Sequence, residues 1–504
     1  MNQRSVEAAL VFFFSSCTLS LVIWSYGVAT EFEISKPYFP DLIEILPLAL
    51  SPPLTWISIG SALIGFTLGG IGLGIFFLFP SSRSGLHVRG SQIISARSLG
   101  WKTKTRNEAQ VTLAGVPLPG RIENLHFLIG GRTGTGKTIA IREMLSKIIP
   151  RGDRLIITDP NGDFLSHFYK KDDVILNPFD RRGEGWSIFN EINSVYDHER
   201  FAKSVIPPAR SSQDSEWHAY AQLLFAETTK RLFQEHCFST RELSNWLTLR
   251  PVEELGHFLS GTAAAGLFDP GASKALASTR FIIANYLAPH QYLKPGNFSL
   301  KTWLKDDRQG NLFITWREDM ADALRPLIST WLDILCTSIL SLPPGQGKKI
   351  WVVIDELASL ERLNSLEAAL TKGRKHGLRI VTGLQSTAQL DHLYGREKAI
   401  VLRSCFSNLL ILGGTSSDSQ TAEDFSRGLG EQDLERVQTS TTLNRHGRQR
   451  TEVKQRVRER IVLPSEITNL PSLKGYLSLA GEYPVATVTL KPIQLKQVAP
   501  TFEE

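Results

Sequence analysis

The chain has 504 residues, 42% of them hydrophobic, with a formal net charge of +6 and a pI near 9.0. That length calls for two or more domains, and the composition excludes a disordered or low-complexity chain. The mild basic excess is compatible with nucleic acid or anionic lipid as partner without requiring either. The four scattered cysteines, Cys17, Cys237, Cys336 and Cys405, have no zinc or disulfide spacing, as suits a reducing cytoplasm.

Residues 8–30 carry no charge, and a second uncharged stretch runs over 45–82, with its spanning part at 54–79. Each exceeds the roughly 20 residues that cross a bilayer. Pro47, Pro52 and Pro53 stand before the second stretch, where a helix can start. A cleaved signal peptide is the alternative for the first, with Gly27-Val28-Ala29 as a weak cleavage site. The intervening link carries Glu31, Glu33, Asp41 and Glu44 against Lys36, whereas Arg83, His87, Arg89 and Arg97 follow the second stretch. Basic residues stay on the cytoplasmic side, so both termini are expected there, with a short loop outside. The Gly65/Gly69 and Gly70/Gly74 pairs would let membrane helices approach closely and hint at assembly within the membrane.

Residues 111–118 alternate like a strand and lead into a second strand at 125–129. There Gly131-Arg132-Thr133-Gly134-Thr135-Gly136-Lys137-Thr138 fits G-x-x-x-x-G-K-[ST] without a mismatch, and a helix is expected over 139–149. Glycines let successive N–H groups point inward as an anion nest, at the positive end of the helix dipole. Lys137 would reach the β/γ phosphates, and the Thr138 hydroxyl would hold Mg²⁺.

The next strand, 154–158, ends at Asp159, which either faces the nucleotide site or belongs to an Asp-Pro-Asn-Gly turn. Between about 182 and 297 helices are expected at 216–233, 241–249, 252–259 and 273–287, with almost no strand-like run. This reads as an all-α domain inserted into an α/β domain made of 81–181 and 298–504. Its Arg210, Lys230, Arg231, Arg241, Lys274 and Arg280 lie among aromatics such as Trp217, Tyr220 and Phe225. They form either a solvated face or a nucleic-acid surface.

Short apolar strands at 311–315, 349–354, 379–382 and 409–412 restore the α/β texture. The third of these four follows a helix over 364–374. The strand at 349–354 ends in Asp355-Glu356, which suits Mg²⁺ coordination by Asp355 and water activation by Glu356. Gln385 ends the next strand and could sense the γ-phosphate. Arg374, with Lys375 as a helper, is the candidate arginine that enters a neighbouring subunit's site. Residues 445–460 hold seven Lys/Arg against Glu452 and Glu459. They suit a hairpin or loop that tracks a phosphate backbone, or a solvated loop.

The octet, DPNGDF at 159–164, NPFD at 177–180, WSIFNEI at 186–192, NLFITWREDM at 311–320, Arg325-Pro326-Leu327, IDELASL at 354–360, TKGRKHGL at 371–378 and GLQST at 383–387 together resemble the type IV secretion coupling proteins of bacterial conjugation, the TraD/TraG class, and its TrwB-like members. The resemblance covers nearly the whole chain. It implies an α/β RecA-like P-loop ATPase domain with an inserted all-α domain and an N-terminal two-helix membrane anchor (residues 1–80). It further implies an inner-membrane homo-hexamer that uses ATP and Mg²⁺, binds single- and double-stranded DNA largely without sequence preference, and contacts the relaxase or relaxosome and inner-membrane secretion components. The activity implied is ATP-driven transfer of single-stranded DNA. A nucleotide-regulated recruitment platform and a secretion ATPase for protein effectors are the alternatives.

Overall fold

The structure is a computed structural model that describes residues 3–31, 52, 54–78, 86–106, 108–209, 213–306, 310–345, 348–414, 418–444 and 447–504. Of the acidic link between the spans, Glu33, Lys36, Asp41 and Glu44 lie outside the described residues, as do Pro47, Pro53, Arg83, Arg210 and Arg445. The chain divides into two units, Met1–His87 with Glu435–Arg456, and Val88–Leu434 with Val457–Glu504.

In the first unit, helices α1 (Gln3–Glu31) and α2 (Leu54–Leu78) are each long and apolar enough to cross a membrane. They pack on each other: the Trp24 indole donates to Ser58 Oγ at 2.9 Å. A Cβ at Gly69 would lie 3.0 Å from the Phe12 ring, and one at Gly65 would lie 2.9 Å from the Ser16 carbonyl. This glycine pair therefore serves packing within the chain, as small residues do where helix backbones approach. Gly70 faces open space.

In chain order the strands are β1 (Leu86–Gly90), β2 (Ile93–Ser95), β3 (Thr112–Leu113), β4 (Val116–Pro117), β5 (Phe127–Gly130), β6 (Arg154–Pro160), β7 (Val174–Leu176), β8 (Leu312–Trp316), β9 (Ile350–Ile354), β10 (Leu378–Leu384), β11 (Asn408–Leu412), β12 (Glu431–Asn444), β13 (Gly447–Arg460), β14 (Lys474–Ser478) and β15 (Val485–Thr489). Ten of them form one sheet in the order β2-β15-β14-β11-β5-β10-β9-β6-β8-β7. From β7 across to β11 all neighbours run parallel. Strand β14 is antiparallel to β11 and to β15.

Both faces of this sheet are covered, so its central strands are apolar throughout rather than alternating. In β9, Ile350, Val352 and Ile354 enter one core, with Leu128, Ile156 and Ile380. Trp351 and Val353 enter the other, with Phe127, Leu155 and Val381. Each fully buried side chain of this size contributes about 1.5–3 kcal/mol. The crossovers between parallel strands are helical; α3 (Lys137–Arg151) joins β5 to β6, and α4 (Asp163–Phe168) follows β6.

Residues 111–118, expected as one strand, instead fold back as a hairpin: β3 and β4 pair antiparallel about Ala114 and Gly115, at φ +53° and +75°. Two consecutive positive φ values match the twist of a tight hairpin. The apolar alternation reads the same whether the chain runs on or turns back.

Among the described residues between Asp180 and Phe298 the regular structure is helical, chiefly α5 (Val195–Val205), α6 (Ser215–Gln234) and α7 (Ser273–Leu287). An isolated bridge, Trp186–Phe298, joins the two ends of this segment. Gly185 and Gly296 meet there backbone to backbone, and a Cβ on Gly296 would lie 2.6 Å from Gly185 Cα. Buried Glu191 binds both ends: it accepts from the Trp186 indole at 2.8 Å and from the Leu300 N–H at 2.7 Å. After this segment the core helix α8 (Ala321–Ile339) precedes β9, and α9 (Thr387–Tyr394), α10 (Arg396–Ser404) and α11 (Ser419–Leu429) complete the layers around β10 and β11.

Candidate nucleotide site

Strand β5 stops at Gly130, and residues 131–138 turn at the C-terminal edge of the sheet between β10 and β11. The Gly131 N–H donates to the Leu384 carbonyl at 3.0 Å, and the Arg132 N–H to the Gly413 carbonyl at 2.9 Å. Both neighbouring strands thus hold the loop. Gly136 sits at φ +112°, where a Cβ would meet Leu473 at 2.8 Å and Leu490 at 2.9 Å. No side chain caps the start of α3. The first N–H groups of the helix therefore remain for an anion, as at phosphate-binding helix ends.

Sheet register gathers the other residues. Thr382 lies opposite Ile354, and Leu384 opposite Gly130. Asp355, Glu356 and Gln385 consequently leave the sheet beside the loop. Thr133 Oγ1 donates to Gln385 Oε1 at 3.1 Å, and Thr135 Oγ1 to the Arg132 carbonyl at 2.7 Å. Lys137 is buried, and its ammonium donates to the Gly131 carbonyl at 2.8 Å.

The electrostatics follow from burial. Burial lowers the Lys137 pKa, against the attraction of Glu356 and Asp355. Burial pushes Glu356 up to about 7, opposed chiefly by the charge of Lys137, and among the described residues neither of its carboxylate oxygens has a hydrogen-bond partner. Asp355 is raised for the same reason, and among the described residues its buried Oδ1 has no hydrogen-bond partner. Among the described residues no group of three His, Cys, Asp or Glu could hold a metal ion. One carboxylate, that of Asp355, and the hydroxyl of half-buried Thr138 on the loop nevertheless fit Mg²⁺, because phosphate oxygens and water complete its shell.

The structure decides the two readings of Asp159. Its carboxylate is fully buried and accepts from the N–H groups of Phe164 at 3.0 Å and Leu165 at 2.6 Å. It secures the turn that starts α4, with both carboxylate oxygens committed to backbone N–H groups. The site also contains groups the motifs did not announce. Arg142, on α3, pairs with Asp163 at the start of α4, and both charges act on Asp355. Gly383 is required because a Cβ there would strike the Asp355 carbonyl. The long sequence separation of these partners hides them from any local pattern.

Arg374 does not join the site of its own chain. It is exposed on the Gly373–His376 turn before β10, with Lys375 also exposed beside it. The seven residues of β10 span on the order of 20 Å, so Arg374 stands at the opposite edge of the sheet from Gln385.

Residues 445–460 fall largely in β13, paired with β12. Part of their charge is already balanced. Arg458 pairs with Asp433 at 3.1 Å, Arg460 with Glu423 at 2.5 Å, and Lys454 with Glu435 at 3.2 Å. In the helical segment Arg280 donates to the backbone carbonyls of Leu247 and Arg250, so it is a structural cation.

A ten-stranded, mainly parallel sheet with an uncapped glycine loop at its carboxyl edge and an acidic strand end beside it defines a RecA-like P-loop protein. Residues 110–491 match the type IV secretion-system coupling protein DNA-binding domain, and the chain belongs to that family. It is 29% identical over 414 residues to the coupling protein TraD of Escherichia coli (strain K12), which covers 79% of this chain and 57% of TraD. The chain thus spans a little over half the length of that relative. Among solved structures it is similar to the bacterial conjugative coupling protein TrwBdeltaN70 in its unbound monoclinic form, at 48% identity and a TM-score of 0.80, over 84% of this chain and 99% of that one. The plasmid coupling protein TrwB in complex with ADP and Mg²⁺ matches over the same shares, at 47% identity and a TM-score of 0.79.

Proposed function

We propose that this chain is the membrane-anchored ATPase that couples a relaxase–DNA complex to a type IV secretion channel and drives single-stranded DNA transfer. The observation that carries the reading is the convergence of Lys137, Thr138, Asp355, Glu356 and Gln385 at one sheet edge, in a chain of the coupling-protein family. The solved TrwB complex with ADP and Mg²⁺ supports ATP and Mg²⁺ as the ligands here.

In this reading the N–H groups of residues 131–138 cradle the phosphates. Lys137 exchanges its bond to Gly131 for one to a phosphate oxygen. Thr138 and Asp355 hold Mg²⁺, which when bound neutralises charge on the phosphoryl oxygens. Glu356 takes a proton from the attacking water. Gln385, linked to Thr133, registers the γ-phosphate. Arg374 reaches the transferring phosphoryl group of a neighbouring subunit in a homo-hexamer, the role its place at the far sheet edge allows.

In this reading helices α1 and α2, each long and apolar enough to cross a membrane, anchor the protein in the inner membrane with both termini cytoplasmic. Residues 1–80 act as the anchor, 81–181 with 298–504 as the ATPase domain, and 182–297 as the inserted all-α domain. DNA, the relaxosome and inner-membrane secretion proteins are the partners. The test is steady-state phosphate release by the full chain with and without single-stranded DNA. Stimulation that rises with protein concentration, as ring assembly requires, is expected; hydrolysis indifferent to DNA would favour a recruitment platform.

A further inference from the structure

Away from the nucleotide site, the helical segment encloses an open cavity of about 1120 Å³. Phe189, Phe233, Phe238, Arg241, His290 and Lys294 are among its lining residues, and among the described residues no acidic side chain lines it. Phe238 is 50% exposed, with its ring 5.1 Å from Phe233 and 6.2 Å from Phe189. An aromatic group held half out of the core presents a face on which a flat ring can stack.

His290 is the second, independent observation. It is 2% exposed, lines the cavity, and among the described residues neither ring nitrogen has a hydrogen-bond partner. Leaving buried polar atoms unpaired is costly, and native proteins rarely do so without a reason. Burial holds this imidazole down at about 4, so near neutral pH it carries one N–H donor and one lone-pair acceptor. The edge of a nucleobase offers the complementary pair. Arg241, exposed at the same cavity, supplies the complement of a phosphate, whereas the Lys294 ammonium donates to the Asp180 carbonyl at 2.6 Å and adds only its charge nearby.

We propose that this cavity binds one nucleotide unit, its base stacked on Phe238 and hydrogen-bonded by His290, its phosphate met by Arg241. The chemistry fits either an unstacked nucleotide of single-stranded DNA or a free mononucleotide. The first source rests on the DNA-transfer reading above.

The experiment uses the full chain in detergent, at fixed salt because phosphate contacts are salt-sensitive. Fluorescein-labelled (dT)20 and free dTMP are titrated against wild type, Phe238→Ala and Arg241→Ala, and 5-iododeoxyuridine oligonucleotides are photo-crosslinked and mapped. Both substituted residues are exposed, and equal melting temperatures confirm intact folding. Phe238→Ala is expected to weaken (dT)20 binding about tenfold, the size of one lost base–aromatic stack. Crosslinks should fall on the peptides that hold Phe238 or His290. Loss of dTMP binding with unchanged (dT)20 affinity assigns the site to free nucleotide. Unchanged affinity for both, with crosslinks only elsewhere, overturns the proposal. The two readings fail differently: a wild type that binds no (dT)20 refutes DNA transfer, whereas a wild type that binds it with no contribution from Phe238 refutes only the cavity.

Discussion

The Lys137 ammonium donates to the carbonyl of Gly131 at 2.8 Å, so the phosphate loop is closed on its own lysine. Asp355 and Glu356 attract that ammonium without an ion pair to it. An entering phosphate would take over the bond to Gly131 and satisfy a buried cation more strongly than a neutral carbonyl does. Lys137→Thr should therefore abolish nucleotide turnover, by at least about a hundredfold in kcat, the scale on which single electrostatic donors act. Phosphate release measures it, and an unchanged circular dichroism spectrum shows that the fold survives. Turnover or DNA transfer at the wild-type level in that variant would refute the motor.

Glu356 predicts a pH dependence. Its carboxyl is held up to about 7 by burial, so the deprotonated base is lost as pH falls through neutrality. The acid limb of kcat/KM should lie near pH 7, and Glu356→Gln should remove it and slow turnover about 10²–10⁴-fold. Stability runs the other way. The folded protein keeps this proton above the ordinary glutamate value of 4.5, where the unfolded chain has lost it. The contribution to stability is full below about 4.5 and fades as pH rises through 7. Glu356→Gln should thus melt a few degrees above wild type at pH 8 and level with it at pH 4. A melting difference that grows on acidification would contradict this.

Arg374 stands at the far edge of the sheet from its own phosphate loop. Arg374→Ala should cut turnover roughly 10³-fold or more with little loss of nucleotide affinity. Subunit mixing provides the sharper check. Lys137→Thr and Arg374→Ala subunits, each inactive alone, should regain part of the activity when mixed, because one kind of interface then joins an intact lysine to an intact arginine. No recovery on mixing, with normal turnover by Arg374→Ala, would exclude an arginine acting between subunits.

At the opposite end of β9 and β10, buried Glu123 pairs with Arg151 at 2.6 Å and with Arg379 at 3.2 Å. Asp153 completes the group and accepts from the Trp351 indole at 2.8 Å. Glu123→Ala leaves two guanidinium groups buried beside one remaining carboxylate. Breaking such a pair costs about 3–5 kcal/mol. Denaturant unfolding should register that loss, while Glu123→Gln, which keeps an acceptor, should cost less. Equal stability of wild type and Glu123→Ala would show the cluster to be energetically idle.

Much of the site is legible in the chain because its chemistry is local. The octet specifies its own backbone, and β9 ends in Asp355 and Glu356 within a single apolar run. The helices of the 182–297 segment were legible for the same reason, since their apolar periodicity needs no partner to be read. Three other features were not local. The 111–118 alternation could not reveal its turn at Ala114, Asp159 could not declare which N–H groups it would satisfy, and the Gly65/Gly69 pair could not say that its partner was α1.

By itself, then, the sequence determined a phosphate loop, an acidic strand end, two apolar helices and the family to which they belong, because each is written in contiguous residues. Only the tertiary structure decided which strands flank the loop, why Gly383 must lack a side chain, that Arg374 lies away from its own site, and that segments near Phe189, Phe238 and His290 enclose one cavity. Those relations depend on sheet order and on contacts between residues tens to hundreds of positions apart. No periodicity encodes such contacts; they form only when the burial of both sheet faces selects one packing of the helices.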